Sequence, residues 1–182
     1  METERRQAEL RAADGEEMIA TGYATTFEQP YVMYRDRDGY EYREQIARGA
    51  ISPELLRDVV LNYNHGGRVC ARQSNGTLQL TIDDVGLGVR ANLSKTSAAR
   101  ELHEDIRAGM VTKMSWAFHV EEDAYTAEDN WSLRTIKKVD AVFDVSAVAA
   151  PANPETSIEA RNKHEKYKND SRRKRLKLKY GG

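Results

Sequence analysis

Lys113-Met114-Ser115-Trp116-Ala117-Phe118-His119-Val120 alternates in side-chain character. In an extended chain Met114, Trp116, Phe118 and Val120 fall on one side, and Ser115, Ala117 and His119 on the other. The first set is large and apolar, which suits a core face. The second puts a serine next to a small alanine on a stiff element, where a substrate has room to approach. Ser115 is therefore a candidate nucleophile. Most serines are only solvated or hydrogen-bonded to backbone, so the rest of the chain must supply a base and an acid to make the chemistry work.

On the C-terminal side, residues 121–130 read as an acidic loop and residues 131–139 as a further strand. Residues 141–150, AVFDVSAVAA, form the most apolar run and read as a buried strand. Pro151 stops it and Pro154 keeps the chain extended. On the N-terminal side, residues 97–108 predict a helix. Ala98, Leu102 and Ile106 share one face at spacing i, i+4, i+8, and Gly109 ends it. Before it, residues 77–82 and 87–93 predict a hairpin about Asp83-Asp84-Val85-Gly86, and residues 69–72 a short strand. Ser52-Pro53 predicts a helix start, with a short helix to about Val60 burying Leu55, Leu56, Val59 and Val60. Residues 18–26 and 39–46 read as strands, joined by a polar, aromatic-rich connection. Many strands and two helices predict an α+β, mainly β domain, built as a small closed or half-closed β-barrel flanked by helices.

The length of 182 residues suits one domain with a tail. Charge is divided unevenly. Residues 1–160 hold 18 basic and 27 acidic side chains, a net charge of −9, and residues 161–182 hold 10 basic and 2 acidic, a net charge of +8. Three regions follow: a polar N-terminal segment over 1–17 expected to fray, a domain over 18–160, and a basic tail over 161–182 expected to be disordered. The single cysteine, Cys70, excludes an internal disulfide and a cysteine-built zinc site, and suits a reducing compartment. No apolar run approaches the roughly 20 residues of a membrane span, and the first residues are too polar for a secretory signal.

Four histidines compete for the role of base. His164 lies in the tail. His103 is off the helix face defined by Leu102 and Ile106, where a solvated position is expected. His119 shares a strand face with Ser115, but four residues of strand separate them by about 13 Å. His65 follows the apolar Val59-Val60-Leu61 and precedes Gly66-Gly67, which leaves the imidazole uncrowded. A structural turn histidine is the competing reading there. Asp144 sits within the apolar run, where a charge needs a partner. It is either half of a structural ion pair or the group that orients a base. Cys70 is a rival nucleophile, although Val69 and Ala71 beside it favour a packed thiol. The clusters His119/Glu121/Glu122 and His103/Glu104/Asp105 lack the spacing of known metal motifs. Arg172-Arg173-Lys174-Arg175 offers a nucleic-acid alternative, though a terminal charge run is usually a solvated tail.

Taken in order, EYREQIARGAI, LNYNHGGRV, DDVGLGVRANL, IRAGMVTKMSWAF and VFDVSAVAAPANPET resemble the prohead, or capsid maturation, proteases of tailed bacteriophages. The resemblance runs from about Ile19 to Ile158. It implies a fold like that of the herpesvirus assemblins and a serine endopeptidase that needs no metal or cofactor. The implied substrates are the scaffolding protein or the scaffolding segment of the major capsid protein, and often the protease itself. It also implies action inside the assembling procapsid in the host cytoplasm with no required nucleic acid; self-association is left open, and no membrane partner is expected for want of a long apolar run. By position, the resemblance puts His65 as base, Ser115 as nucleophile and Asp144 as the third member. Asp144 stands where many relatives have glutamate, and Ala117 where glycine is common. A non-catalytic capsid assembly or scaffolding component with the same fold is the alternative; an intact Ser115–His65 hydrogen bond separates the two.

Overall fold

The computed structural model describes residues 4–12, 17–149, 169 and 173. Apart from residues 169 and 173, the expected tail lies outside them, as do His164 and residues 150–160. Ten strands and one α-helix are described: β1 Glu4–Ala12, β2 Ile19–Thr26, β3 Tyr31–Arg35, β4 Glu41–Ile46, β5 Val60–Tyr63, β6 Gly66–Arg72, β7 Leu78–Ile82, β8 Gly86–Asn92, α1 Ser97–Arg107, β9 Lys113–Ala127 and β10 Trp131–Val148. The fold is mainly β. The ten strands make one mixed sheet in the order β3-β4-β10-β9-β1-β2-β8-β7, with β5 added to β10 and β6 to β5. The path has two ends and does not close as a strand ladder. One parallel bridge, Phe27 to Ile46, ties the chain after β2 to the end of β4, and Glu28 N–H donates to the Ile46 carbonyl at 2.9 Å.

β9 and β10 are the spine. They pair antiparallel from end to end, and the far edge of β10 is shared between two parallel partners, β4 along residues 131–136 and β5 along residues 144–147. The alternation of β9 sorts its side chains as expected. Met114, Trp116 and Phe118 are fully buried in the core, with the two rings stacked at 3.9 Å. The acidic segment at residues 121–127 continues the strand rather than looping out, because Thr126, Ala124 and Tyr125 find partners on β10. The two strands expected at 131–139 and 141–150 are likewise one strand, bent by register shifts.

Several local expectations are corrected. Residues 4–12, expected to fray, form β1. Its first six residues pair with β9 and its last three with β2. Ala8, Leu10 and Ala12 alternate with charged residues in this segment, a period-2 pattern that high polarity concealed. The aromatic-rich connection contains β3. The helix expected from Pro53 to Val60 is only a 3₁₀ turn, Pro53–Leu55. Asp58 takes a left-handed φ of 57° there, and the β-branched Val59-Val60 pair leads into β5. The fold is thus flanked by one α-helix among the described residues, not by several. In α1 the buried face is Ala99, Leu102, His103 and Ile106, so His103, expected in solvent, is 4% exposed. Burial pushes its pKa down.

One ionic cluster inside the sheet had no sequence signal. Arg134 and Glu44 are completely buried. The guanidinium donates to Glu4 at 2.7 and 2.8 Å, to Glu44 at 3.1 Å and to Asp123 at 2.7 Å. Tyr31 donates its hydroxyl to Glu44. Burial alone would lower the Arg134 pKa, but Glu4 and Glu44 outweigh it and push it up. The cluster joins β1, β3, β4, β9 and β10.

Candidate active site

The β5–β6 connection is a two-residue turn, Asn64-His65, between the paired residues Tyr63 and Gly66. Both turn residues have positive φ, 50° and 57°. A two-residue hairpin requires this backbone, since its twist matches that of the flanking strands. Asn tolerates the left-handed region well and His better than most. Three hydrogen bonds fasten the turn to β10. Asn64 N–H donates to the Ala147 carbonyl at 2.9 Å, His65 N–H to Ser146 Oγ at 3.2 Å, and Ala149 N–H to Asn64 Oδ1 at 3.2 Å. The imidazole therefore leaves a strained, anchored turn and points along the sheet face.

Asp144 reaches that face through a bulge. Val142 is paired with Phe118, yet Asp144 is paired with Ala117, so Phe143 is the extra residue. Continuing the register from Val142 would set Asp144 opposite Trp116, on the core side. The bulge turns it to the side of Ser115 and Ala117, because a one-residue slip exchanges the faces of a strand. Ser146 pairs directly with Ser115 in the same register. Phe143 is left on the outer surface, 44% exposed.

These elements bring Ser115, His65 and Asp144 together. Ser115 Oγ lies 2.6 Å from His65 Nε2, and His65 Nδ1 lies 2.7 Å from Asp144 Oδ1. A carboxylate only accepts, so Nδ1 carries the proton and Nε2 accepts from the Ser115 hydroxyl. Ser146 Oγ donates to the same Asp144 Oδ1 at 2.7 Å. Burial would raise the Asp144 pKa, but the hydrogen bonds from His65 and Ser146, aided by the charge of Arg5, prevail and hold it below the usual carboxylate value. The His65 and Asp144 side chains are 11% and 13% exposed. Ser115 is wholly buried. Further along the same face, an open groove of about 1030 Å³ is lined by Lys113, Glu9, Arg11, Tyr23 and Arg90.

The competing residues lie elsewhere. His119 is 4.0 Å from Asp140 and packs edge-on against Phe143. Cys70 is buried, its thiol directed at the Arg68 and Ala98 carbonyls, and burial pushes its pKa up. Among the described residues, no three His, Cys, Asp or Glu side chains are grouped to hold a metal ion. Ser146 is the residue that sequence reasoning missed. Its signal was available: Asp144 and Ser146 are two apart in a strand and so share a face.

A serine, an imidazole and a carboxylate in one hydrogen-bonded line on a β scaffold is the arrangement of the serine hydrolases. More particularly, the chain belongs to the caudovirus prohead serine protease family, which it matches over residues 3–170. A solved structure, the bacteriophage T4 capsid assembly protease gp21, shares the fold with a TM-score of 0.50 at 13% identity, the alignment covering 82% of this chain and 98% of that one. No curated protein matches the chain.

Proposed function

We propose that this chain is the endopeptidase of capsid maturation, and that Ser115, His65 and Asp144 are its catalytic triad. The observation that carries this reading is the unbroken line Ser115 Oγ–His65 Nε2 and His65 Nδ1–Asp144 Oδ1 at 2.6 and 2.7 Å. Ser115 Oγ attacks the scissile carbonyl as His65 Nε2 takes its proton. Asp144 holds the ring and stabilises the imidazolium. His65 then returns the proton to the leaving amine, and water hydrolyses the acyl-enzyme by the same steps in reverse. The substrates are the major capsid protein, the scaffolding protein, or both, followed by the protease itself, within the procapsid in the host cytoplasm. Membership of a prohead protease family supports that setting. No described helix is long and apolar enough to cross a membrane. The bridge between Phe27 and Ile46 supports reading the sheet as a half-closed barrel of the assemblin kind.

The test is co-expression with the phage's own capsid protein, with and without Ser115→Ala. New capsid-protein termini are expected with the wild type and none with the variant. Equal cleavage by both would end the serine reading. The working domain is residues 18–160 with β1 added to it, and the basic tail over 161–182 is an address for recruitment into the shell or is removed by self-cleavage. A chain ending at Ala160 is then expected to cleave a capsid-protein peptide at nearly the full rate but to be packaged poorly into proheads. Unchanged packaging would remove the recruiting role.

A further inference from the structure

Ser146 is completely buried, and both of its hydrogen bonds go to the groups that hold the proposed base. Its oxygen accepts from the backbone N–H of His65 at 3.2 Å, which fixes the strained turn. Its proton goes to Asp144 Oδ1 at 2.7 Å, the oxygen that also receives His65 Nδ1–H. A hydroxyl has one proton to give, so the direction of the whole set is determined. The arrangement forms a closed loop: His65 ring to Asp144, Asp144 to Ser146, and Ser146 back to the His65 backbone. Register explains why a serine stands here. Ser146 lies directly opposite Ser115 on β9 and beside Asn62 on β5, so it is adjacent to all three members at once.

We infer that Ser146 is a positioning residue of the proposed triad. It acts on both ends of the His65–Asp144 bond, setting the rotation of the carboxylate and the seat of the turn that carries the imidazole. It does not touch the reacting atoms. Ala at this position would leave Asp144 Oδ1 with one donor instead of two and the His65 N–H without its acceptor. Alignment of Nε2 with the Ser115 hydroxyl depends on both.

The inference rests on the serine protease reading, and its test has one arm that does not. In the co-expression assay, capsid-protein cleavage by Ser146→Ala is expected to slow by roughly tenfold or more, the usual size for hydrogen bonds to a charged group. Ser146→Thr, which keeps the hydroxyl, is expected to recover most of the rate. In the purified protein, the low-field proton resonance of His65 Nδ1–H, assigned by its loss in His65→Ala, is expected to shift or broaden in Ser146→Ala and to return in Ser146→Thr. Wild-type cleavage by Ser146→Ala would overturn the inference. So would a slowed variant with an unchanged imidazole resonance, since that describes a merely structural serine. Should the wild type cleave nothing, or Ser115→Ala cleave as well, the protease reading fails, and the resonance alone decides whether Ser146 positions the His65–Asp144 pair.

Discussion

Taking the hydroxyl from Ser115 removes one oxygen from a buried strand position and leaves His65 Nε2 without its partner. The expected cost to stability is about 1 kcal/mol, with complete loss of cleavage. His65→Ala is expected to lose as much activity as Ser115→Ala, and the double variant no more than either, because the two residues act as a unit. Counting capsid-protein termini in the three variants checks this. Asp144→Asn keeps the shape but loses the charge facing the imidazolium, so it is expected to fold and to cleave more slowly. A pH dependence follows from the depressed Asp144 pKa. The folded state favours the ionised carboxylate, so its stabilisation is full above the unfolded carboxylate value of about 3.9 and is lost as pH falls through the lower folded value. The denaturation midpoint of the wild type is therefore expected to exceed that of Asp144→Asn near neutrality, with the gap closing in acid. A gap constant with pH would mean that charge is not the source. Ser115 and His65 could be singled out as candidates from alternation and two glycines, with a turn role for His65 still open, while their approach to one another is decided by the fold. Burial of His103 was not, since a helix face one residue wider than the Ala98-Leu102-Ile106 stripe is decided by what packs over it.

The β5–β6 hairpin makes its geometry testable through its glycines. Gly67 has φ +70°, whereas Gly66 has ordinary backbone, and a Cβ on either would meet nothing within 4 Å. Gly67→Ala is thus expected to cost roughly 1 kcal/mol from backbone strain alone, and Gly66→Ala almost nothing. Chemical denaturation of the two variants compares them without any assay of activity. The β7–β8 hairpin and the core face of β9 were readable because their alternation is strong, whereas the β5–β6 hairpin was not read as one. The bulge at Phe143 was not. Nothing in VFDVS states that an extra residue intervenes between Val142 and Asp144, because the slip is decided by the partner strand. β1 escaped notice for the opposite reason: only Leu10 in it is a large apolar residue, and its stability comes from filling a gap between β9 and β2.

Across the whole molecule, Arg134 is the cation to which β1, β4 and β9 are tied. Arg134→Met would remove the cation that Glu4, Glu44 and Asp123 share, and a loss of about 3–5 kcal/mol is expected from breaking one side of a buried ion cluster, read as a fall in the urea midpoint. A midpoint near that of the wild type would mean that Glu44 takes a proton cheaply. The long β10 strand also has a consequence in time. Synthesis runs from the N-terminus, so Ser115 and His65 leave the ribosome before residues 144–149. Those residues carry the carboxylate, the Ser146 hydroxyl and every anchor of the His65 turn to β10. A growing chain that already contains Ser115 and His65 lacks these anchors. The hydrogen-bonded line from Ser115 to Asp144 can therefore assemble only after residues 144–147 have been added beside β5 and β9.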